Sequence, residues 1–206
     1  MDRAGIETSV LCCIATKPSQ YESILKWCLD IRSDRIIPMP SVHPDDPQAI
    51  QRIEAIRKLG FKGIKLHPYY QGFQIDDPRL DAFYKSICEN ELLLIQHTGF
   101  DIAFEWKEVA SPAQILRVLD KFPDLRLITT HMGSWFQWDE VEKHLIGRPV
   151  YMETSMTYDY LGPEKMKRLM EKHPPDYLFF GSDSPWDDQS KAVQNVSNLI
   201  DDNGLR

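Results

Sequence analysis

The chain has 206 residues, of which 42% are hydrophobic, 27% charged and 11% aromatic, enough apolar material to bury the core of one domain spanning residues 1–206. A formal net charge of −7 argues against nucleic acid and against an anionic membrane surface, both of which need a basic face. The longest apolar runs, Val10 to Ala15 and Leu92 to Ile95, fall well short of the ~20 residues of a membrane span, and Asp2, Arg3 and Glu7 stand where a secretory signal needs apolar residues. The expectation is a cytoplasmic protein whose partner is a small molecule.

In chain order, Met1 to Ala4 read either as a helical turn stopped by Gly5 or as a plain N-terminal loop. Thr8–Ile14 is the first predicted strand, with Cys12 and Cys13 on opposite faces. These two, Cys28 and Cys88 lack any C-x-x-C spacing and read as core residues of a reduced protein. Ile36–Met39 is the second strand. Asp46-Pro47 then starts a helix with Ile50, Ile53, Ile56 and Leu59 on one stripe and Gly60 as its stop. Gly63–His67 is the third strand, and Asp77-Pro78 starts a helix carrying Leu80, Phe83, Tyr84 and Ile87. Leu92–His97 follows, then Ser111-Pro112 and a helix with Ile115, Leu116, Val118, Leu119 and Phe122. Strands at Leu125–Thr130, Val150–Glu153 and Tyr177–Gly181 alternate with shorter stripes through Val141 and Leu145, through Met166, Leu169 and Met170, and through Val193, Val196 and Ile200.

Seven strands recurring about every 28 residues, most of them continuously apolar, describe a parallel sheet covered by helices on its faces. An open doubly wound sheet and a closed barrel both satisfy that pattern. No G-x-G-x-x-G follows any strand, so the dinucleotide-binding version of the open sheet has no support.

Polar residues collect at the carboxyl ends of these strands, where parallel α/β folds place their chemistry. His97 ends Leu-Leu-Leu-Ile-Gln-His, His131 ends Leu-Ile-Thr-Thr-His, Glu153 ends its strand, and Asp183 follows Tyr-Leu-Phe-Phe-Gly-Ser. Lys65 and His67 share one side of their strand, opposite Ile64 and Leu66. Imidazoles and a carboxylate converging from separate strands suit a divalent ion, whereas a single strand-end histidine is ordinarily a hydrogen-bonded structural residue. His43 lies on the same rim; His144, within a helix, and His173, on the opposite rim, read as structural. Trp106, Trp135, Trp138 and Trp186, with Tyr69, Tyr70, Phe73, Phe100, Phe104 and Phe136, lie in segments after strands. They either line a pocket mouth or pack on one another or on a second subunit.

Gly-Ile-Lys-Leu-His-Pro at 63–68, Gln-His-Thr-Gly at 96–99, Thr-His-Met-Gly at 130–133 and Gly-Ser-Asp-Ser-Pro-Trp at 181–186 resemble, in this order, the amidohydrolase superfamily of metal-dependent TIM-barrel hydrolases. The nearest branch is similar to aminocarboxymuconate-semialdehyde decarboxylase and the "amidohydrolase 2" proteins. The resemblance implies a (β/α)8 barrel of which seven βα units are present and the first strand, with its His-x-His pair, is missing; such barrels typically run to about 250 residues. It implies that His97 ligates the metal and that Asp183 ligates it and takes a proton from its water. His131 would orient that water, polarise a carbonyl or bind a second metal. Lys65 corresponds to a position that is a carboxylated lysine in some relatives; binding a substrate anion is the other reading. Lys65, His67, Trp135 and Trp186 are the substrate-contact candidates.

The implied cofactor is zinc, with manganese as the alternative. The expected activity is hydrolysis of a small molecule by a metal-activated water. Non-oxidative decarboxylation of a small carboxylic acid is the rival enzyme reading, and a truncated, non-catalytic barrel is the rival outside enzymes. An incomplete barrel also has two unpaired sheet edges, which favours homo-oligomers.

Overall fold

A computed structural model describes residues 1–200. All seven expected strands form: β1 (Ser9–Cys12), β2 (Ile36–Met39), β3 (Gly63–Leu66), β4 (Leu93–Gln96), β5 (Arg126–Thr129), β6 (Tyr151–Glu153) and β7 (Leu178–Phe179). Each is trimmed at its ends where the ladder stops and the chain turns into the rim. Every pairing is parallel, with β1 on β2 and an unbroken order β3-β4-β5-β6-β7. The Lys65 N–H donates to the Pro40 carbonyl at 2.9 Å, which carries the order across from β2 to β3.

Nine helices connect these strands among the described residues: α1 (Tyr21–Ile31), α2 (Ala49–Lys58), α3 (Pro68–Gln71), α4 (Asp81–Glu89), α5 (Pro112–Lys121), α6 (Trp138–His144), α7 (Thr157–Leu161), α8 (Pro163–Lys172) and α9 (Gln189–Ser197). The start signals act unequally. Ser111 caps α5 as expected, its hydroxyl accepting from Gln114 N–H while the Gln114 side chain accepts from Ser111 N–H. Asp77 caps a single 3-10 turn, Pro78–Leu80, that leads into α4. Asp46 caps a turn rather than a helix, and α2 begins at Ala49, because the Asp46 carboxyl bonds Gln48 N–H and also pairs with Arg52. Met1 to Ala4 do form a 3-10 turn, closed by Gly5 at φ 67°. Helix α1 follows a 3-10 turn, Pro18–Gln20, that begins with proline, and the apolar stripes do not predict it.

The main core lies between the outer face of the sheet and the helices, where Ile64, Leu66, Leu94, Leu127 and Met152 meet Ile53, Ile56, Tyr84, Ile87, Ile115, Leu169 and Val141. A second, small cluster fills the inner face: Met39, Ile95 and Ile128, flanked by Ile37, Leu93 and Tyr151. That inner face is open at its two ends. Val10 and Cys12, in register with Ile37 and Met39, are exposed, as is Phe179 beside Tyr151. Among the described residues β1 and β7 each have one strand neighbour. This corrects the core assignment of Cys12. Cys13, on the other face, is buried with its Sγ 3.4 Å from that of Cys28, while Cys12 faces the open side. No helix among the described residues is long and apolar enough to cross a membrane.

Candidate active site

Three histidines converge at the carboxyl ends of β3, β4 and β5. His67, the residue after β3, stacks on His97, the residue after β4, with ring centroids 4.2 Å apart and planes within 10°. His97 Nδ1 lies 3.3 Å from Nε2 of His131, which stands two residues beyond the end of β5. All three rings are buried. Asp101, from the loop after β4, reaches back to His67 Nε2 at 3.3 Å.

Backbone bonds hold these rims together. The Trp135 N–H donates to the Thr98 carbonyl at 2.9 Å and the Phe100 N–H to the Trp135 carbonyl at 3.1 Å. At the crossing point sits Gly99, where a Cβ would fall 2.1 Å from Trp135 N. Gln71 supports the other side. Its side-chain oxygen accepts from His67 N–H at 2.7 Å, and its amide donates to the Ala15 and Val42 carbonyls, tying the ends of β1, β2 and β3.

Burial in this rim favours neutral imidazoles. His67 is pushed down to about 2, by desolvation first and then by the Lys65 and His131 charges. His97 lies well below the ordinary histidine range for the same leading reason. His131 is lowered to about 4, again by burial, with Asp183 pulling the other way. Partial desolvation raises the Asp183 carboxyl; Glu153 adds to that and His131 opposes it. Neutral imidazoles are what cation ligation requires.

The arrangement also tests whether a divalent ion fits. Among the described residues, His67, His97 and Asp101 bring ligand atoms within 4.8 Å of one another. His97 Nε2 and His67 Nδ1 are buried with no hydrogen-bond partner. A buried imidazole nitrogen without a partner is costly unless something occupies it. The donor set fits a borderline ion such as zinc or manganese.

The expected residues fall as follows. His97 and His131 are in contact; the three-ligand group, however, joins His97 to His67 and Asp101. Asp183, beyond β7, is exposed on its outer flank and interacts electrostatically with His131, Glu153, Lys65 and Asp101. Lys65 is buried on the inner face of β3. Its ammonium has no hydrogen-bond or ion-pair partner among the described residues. Trp135 is buried against His131, ring centroids 4.9 Å apart. Trp186 is 78% exposed and lines a cleft of about 390 Å³ with Met1, Arg3 and Asp187, away from the histidines. His43 is occupied locally, its Nδ1 accepting from Asp45 N–H. His173 is buried with Nε2 on the Val150 carbonyl, and His144 pairs with Glu140 on α6.

The loop aromatics pack largely on one another. Trp135, Phe136, Trp138 and Tyr160 form one packed group and Tyr69, Tyr70 and Phe104 another, with Phe100 touching both groups through Tyr69 and Phe136. Phe136, Tyr160 and Tyr70 still expose much of their surface. Sequence reasoning missed Asp101, Gln71 and Ser155. Gln71 lies four residues beyond His67, whose N–H it accepts, whereas Asp101 pairs with His67 from 34 residues further along the chain, in a segment whose path nothing local dictates.

The family model described as "Amidohydrolase" matches residues 8–201. None of the curated proteins compared matches the chain significantly. Among solved structures, 5-carboxyvanillate decarboxylase from Sphingomonas paucimobilis is similar with a TM-score of 0.72 at 16% identity, over 100% of this chain and 76% of that one. The enzyme of that name from Novosphingobium aromaticivorans, solved with manganese and 4-hydroxy-3-methoxy-5-nitrobenzoic acid, gives 0.74 at 19% identity, over 100% and 73%. A probable 2-pyrone-4,6-dicarboxylic acid hydrolase from Acinetobacter baumannii, with citric acid bound, gives 0.64 at 13% identity, over 96% and 78%. At these identities the likeness establishes the TIM-barrel fold.

Proposed function

The chain belongs to the amidohydrolase family, and from that premise we propose that it is a metal-dependent enzyme that removes the carboxyl group of a small aromatic acid without oxidation. The observation that carries this reading is the position of Lys65. It is buried on the inner face of β3 with no hydrogen-bond or ion-pair partner among the described residues, and its charge acts on His67, His97 and His131, around which two groups of aromatic rings collect. A planar acid suits that surround: rings stack on rings, and a carboxylate meets a cation whose burial otherwise goes uncompensated. The solved decarboxylases with this fold support it.

His97, His67 and Asp101 would hold the divalent ion, zinc or manganese. When bound, the ion supplies Lewis-acid polarisation of a substrate oxygen. The protein's own groups account for the rest. Lys65 binds and orients the carboxylate. Trp135 and its neighbours exclude water from the inner side. Asp183, whose carboxyl burial raises above the ordinary carboxylate range, is the group assigned to deliver a proton from a carboxyl oxygen. As the ring carbon–carboxyl bond breaks and carbon dioxide leaves, the electron pair stays on the ring carbon and takes that proton. The net change is ArCOO⁻ + H⁺ → ArH + CO₂.

Hydrolysis is the second reading, favoured by the same Asp183, which in its ionised form is placed to accept a proton from water. Protein loaded with manganese or zinc and incubated with 5-carboxyvanillate, 2,6-dihydroxybenzoate and 2-pyrone-4,6-dicarboxylate separates the readings. Carbon dioxide release from an aromatic acid, lost in Lys65→Met, is the expected result. Ring opening of the pyrone without carbon dioxide establishes hydrolysis instead. No turnover, together with no stoichiometric metal, establishes a non-catalytic barrel.

A further inference from the structure

Two polar residues, Glu153 and Ser155, stand on the Nδ1 side of His131, at and just beyond the end of β6. His131 Nδ1 lies 3.2 Å from the Ser155 carbonyl oxygen and 3.0 Å from its Oγ. A carbonyl oxygen can only accept, so Nδ1 carries the proton. The Ser155 hydroxyl agrees, because its own proton is committed to Glu153 Oε1 at 2.8 Å, which leaves an oxygen lone pair for Nδ1–H.

Glu153 is itself tightly held. Oε1 accepts the His131 backbone N–H and Oε2 the Ser155 backbone N–H, both at 2.8 Å. The Met132 N–H donates to the Glu153 carbonyl at 2.7 Å. These bonds clamp a backbone in which His131 and Met132 both lie in the left-handed region, at φ 57° and 52°. Gly181 leaves the space: a Cβ there would sit 1.7 Å from Glu153 Oε2.

The consequence passes through the ring. A neutral imidazole protonated on Nδ1 has a bare Nε2. His131 Nε2 faces His97 Nδ1 at 3.3 Å, and two bare nitrogens would repel, so His97 Nδ1 carries the proton. That leaves the lone pair of His97 on Nε2, the buried nitrogen with no partner.

We propose that Glu153 and Ser155 are positioning residues that lock His131, and through it His97, in the Nδ1–H tautomer, so that the lone pair of His97 points into the site. The catalytic consequence rests on the function proposed above; the tautomer does not. The test is a two-bond ¹H–¹⁵N correlation spectrum of metal-free, histidine-labelled protein at neutral pH, with His131 and His97 assigned by loss of their signals in His→Asn variants. Both rings show protonated Nδ1 and unprotonated Nε2. His173, whose Nε2 faces the Val150 carbonyl at 2.9 Å, shows the opposite pattern and serves as internal reference.

In Glu153→Gln the side-chain amide donates to Ser155 Oγ and turns the hydroxyl proton towards Nδ1. The two ¹⁵N shifts of His131 and of His97 then move towards each other while those of His173 stay in place. Ser155→Ala, which keeps the backbone carbonyl, moves them in the same direction by less. A wild-type His131 protonated on Nε2 overturns the proposal, as do folded variants in which neither ring's shifts move. If Glu153→Gln does not fold, the wild-type spectrum and Ser155→Ala decide. The expected tautomer in a protein without turnover refutes the proposed function alone.

Discussion

Replacing Gly99 with alanine measures how firmly the two histidine-bearing strand ends are tied. Gly99 has φ +88°, in a region that costs an L-residue about 1–2 kcal/mol. The new Cβ would also lie 2.1 Å from Trp135 N and 2.5 Å from Trp135 O, both backbone atoms that no rotamer change can move. The ends of β4 and β5 must part, which sacrifices the Trp135 N–H bond to Thr98 and the Phe100 N–H bond to Trp135, roughly 1 kcal/mol each. The sum is about 3–4 kcal/mol. Gly72→Ala is the matched control: φ is +67°, but nothing lies within 4 Å of its Cβ, so only the conformational part, about 1 kcal/mol, remains. With a urea slope of about 2 kcal/mol per molar, the unfolding midpoint falls by about 1.5–2 M in Gly99→Ala and by about 0.5 M in Gly72→Ala. Equal midpoints for the two variants would refute the close-approach argument.

Four further outcomes follow from other parts of the structure. Arg52→Met strands the buried Asp46 carboxylate, 2.7 Å from Arg52 Nη1, and removes a guanidinium stacked 4.3 Å over Tyr21; stability drops by about 3 kcal/mol, and Asp46→Asn in the same chain recovers part of it, as thermal or urea unfolding will show. Ser111→Ala removes one half of the α5 capping box and costs about 1 kcal/mol in the same assay, while Ser197→Ala near the end of α9 costs nothing measurable. In metal-free protein, His67 and His131 titrate near 2 and 4 when folded and near 6.5 when unfolded, so the unfolded chain alone takes up protons below that value. Stability is therefore complete above about pH 6.5 and declines as the pH falls towards 4, by about 1.4 kcal/mol per pH unit for each such proton; urea midpoints that stay level between pH 7 and 5 would refute it. Among the described residues β1 and β7 each leave one edge without a strand neighbour, with Val10 and Phe179 exposed; this 206-residue polypeptide is expected to associate with concentration on size-exclusion chromatography, and a monomer at all concentrations would count against it.

Local chemistry along the chain was enough to place the strands, because continuous apolar runs bounded by Gly, Pro and Asp leave a parallel strand few alternatives. It was also enough to put His67, His97, His131 and Asp183 on one rim, since the carboxyl end of every parallel strand opens on the same side. It did not decide which of them touch. His97 meets His67 face to face and His131 through a nitrogen, while Asp183 sits beyond the last strand on an open flank. Those distances depend on strand tilt and on left-handed backbone at His131, Met132 and Asp183, which no periodicity encodes. Asp101 and Ser155 were invisible for the same reason: a carboxylate or hydroxyl in a loop acquires a role only when tertiary packing brings a histidine nitrogen to it. Strands recurring about every 28 residues already implied seven βα units. Only the folded structure shows the consequence, an inner face that is packed at Met39, Ile95 and Ile128 but open at Val10, Cys12 and Phe179, because a side chain on an inner face is buried only if strands stand on both sides of it.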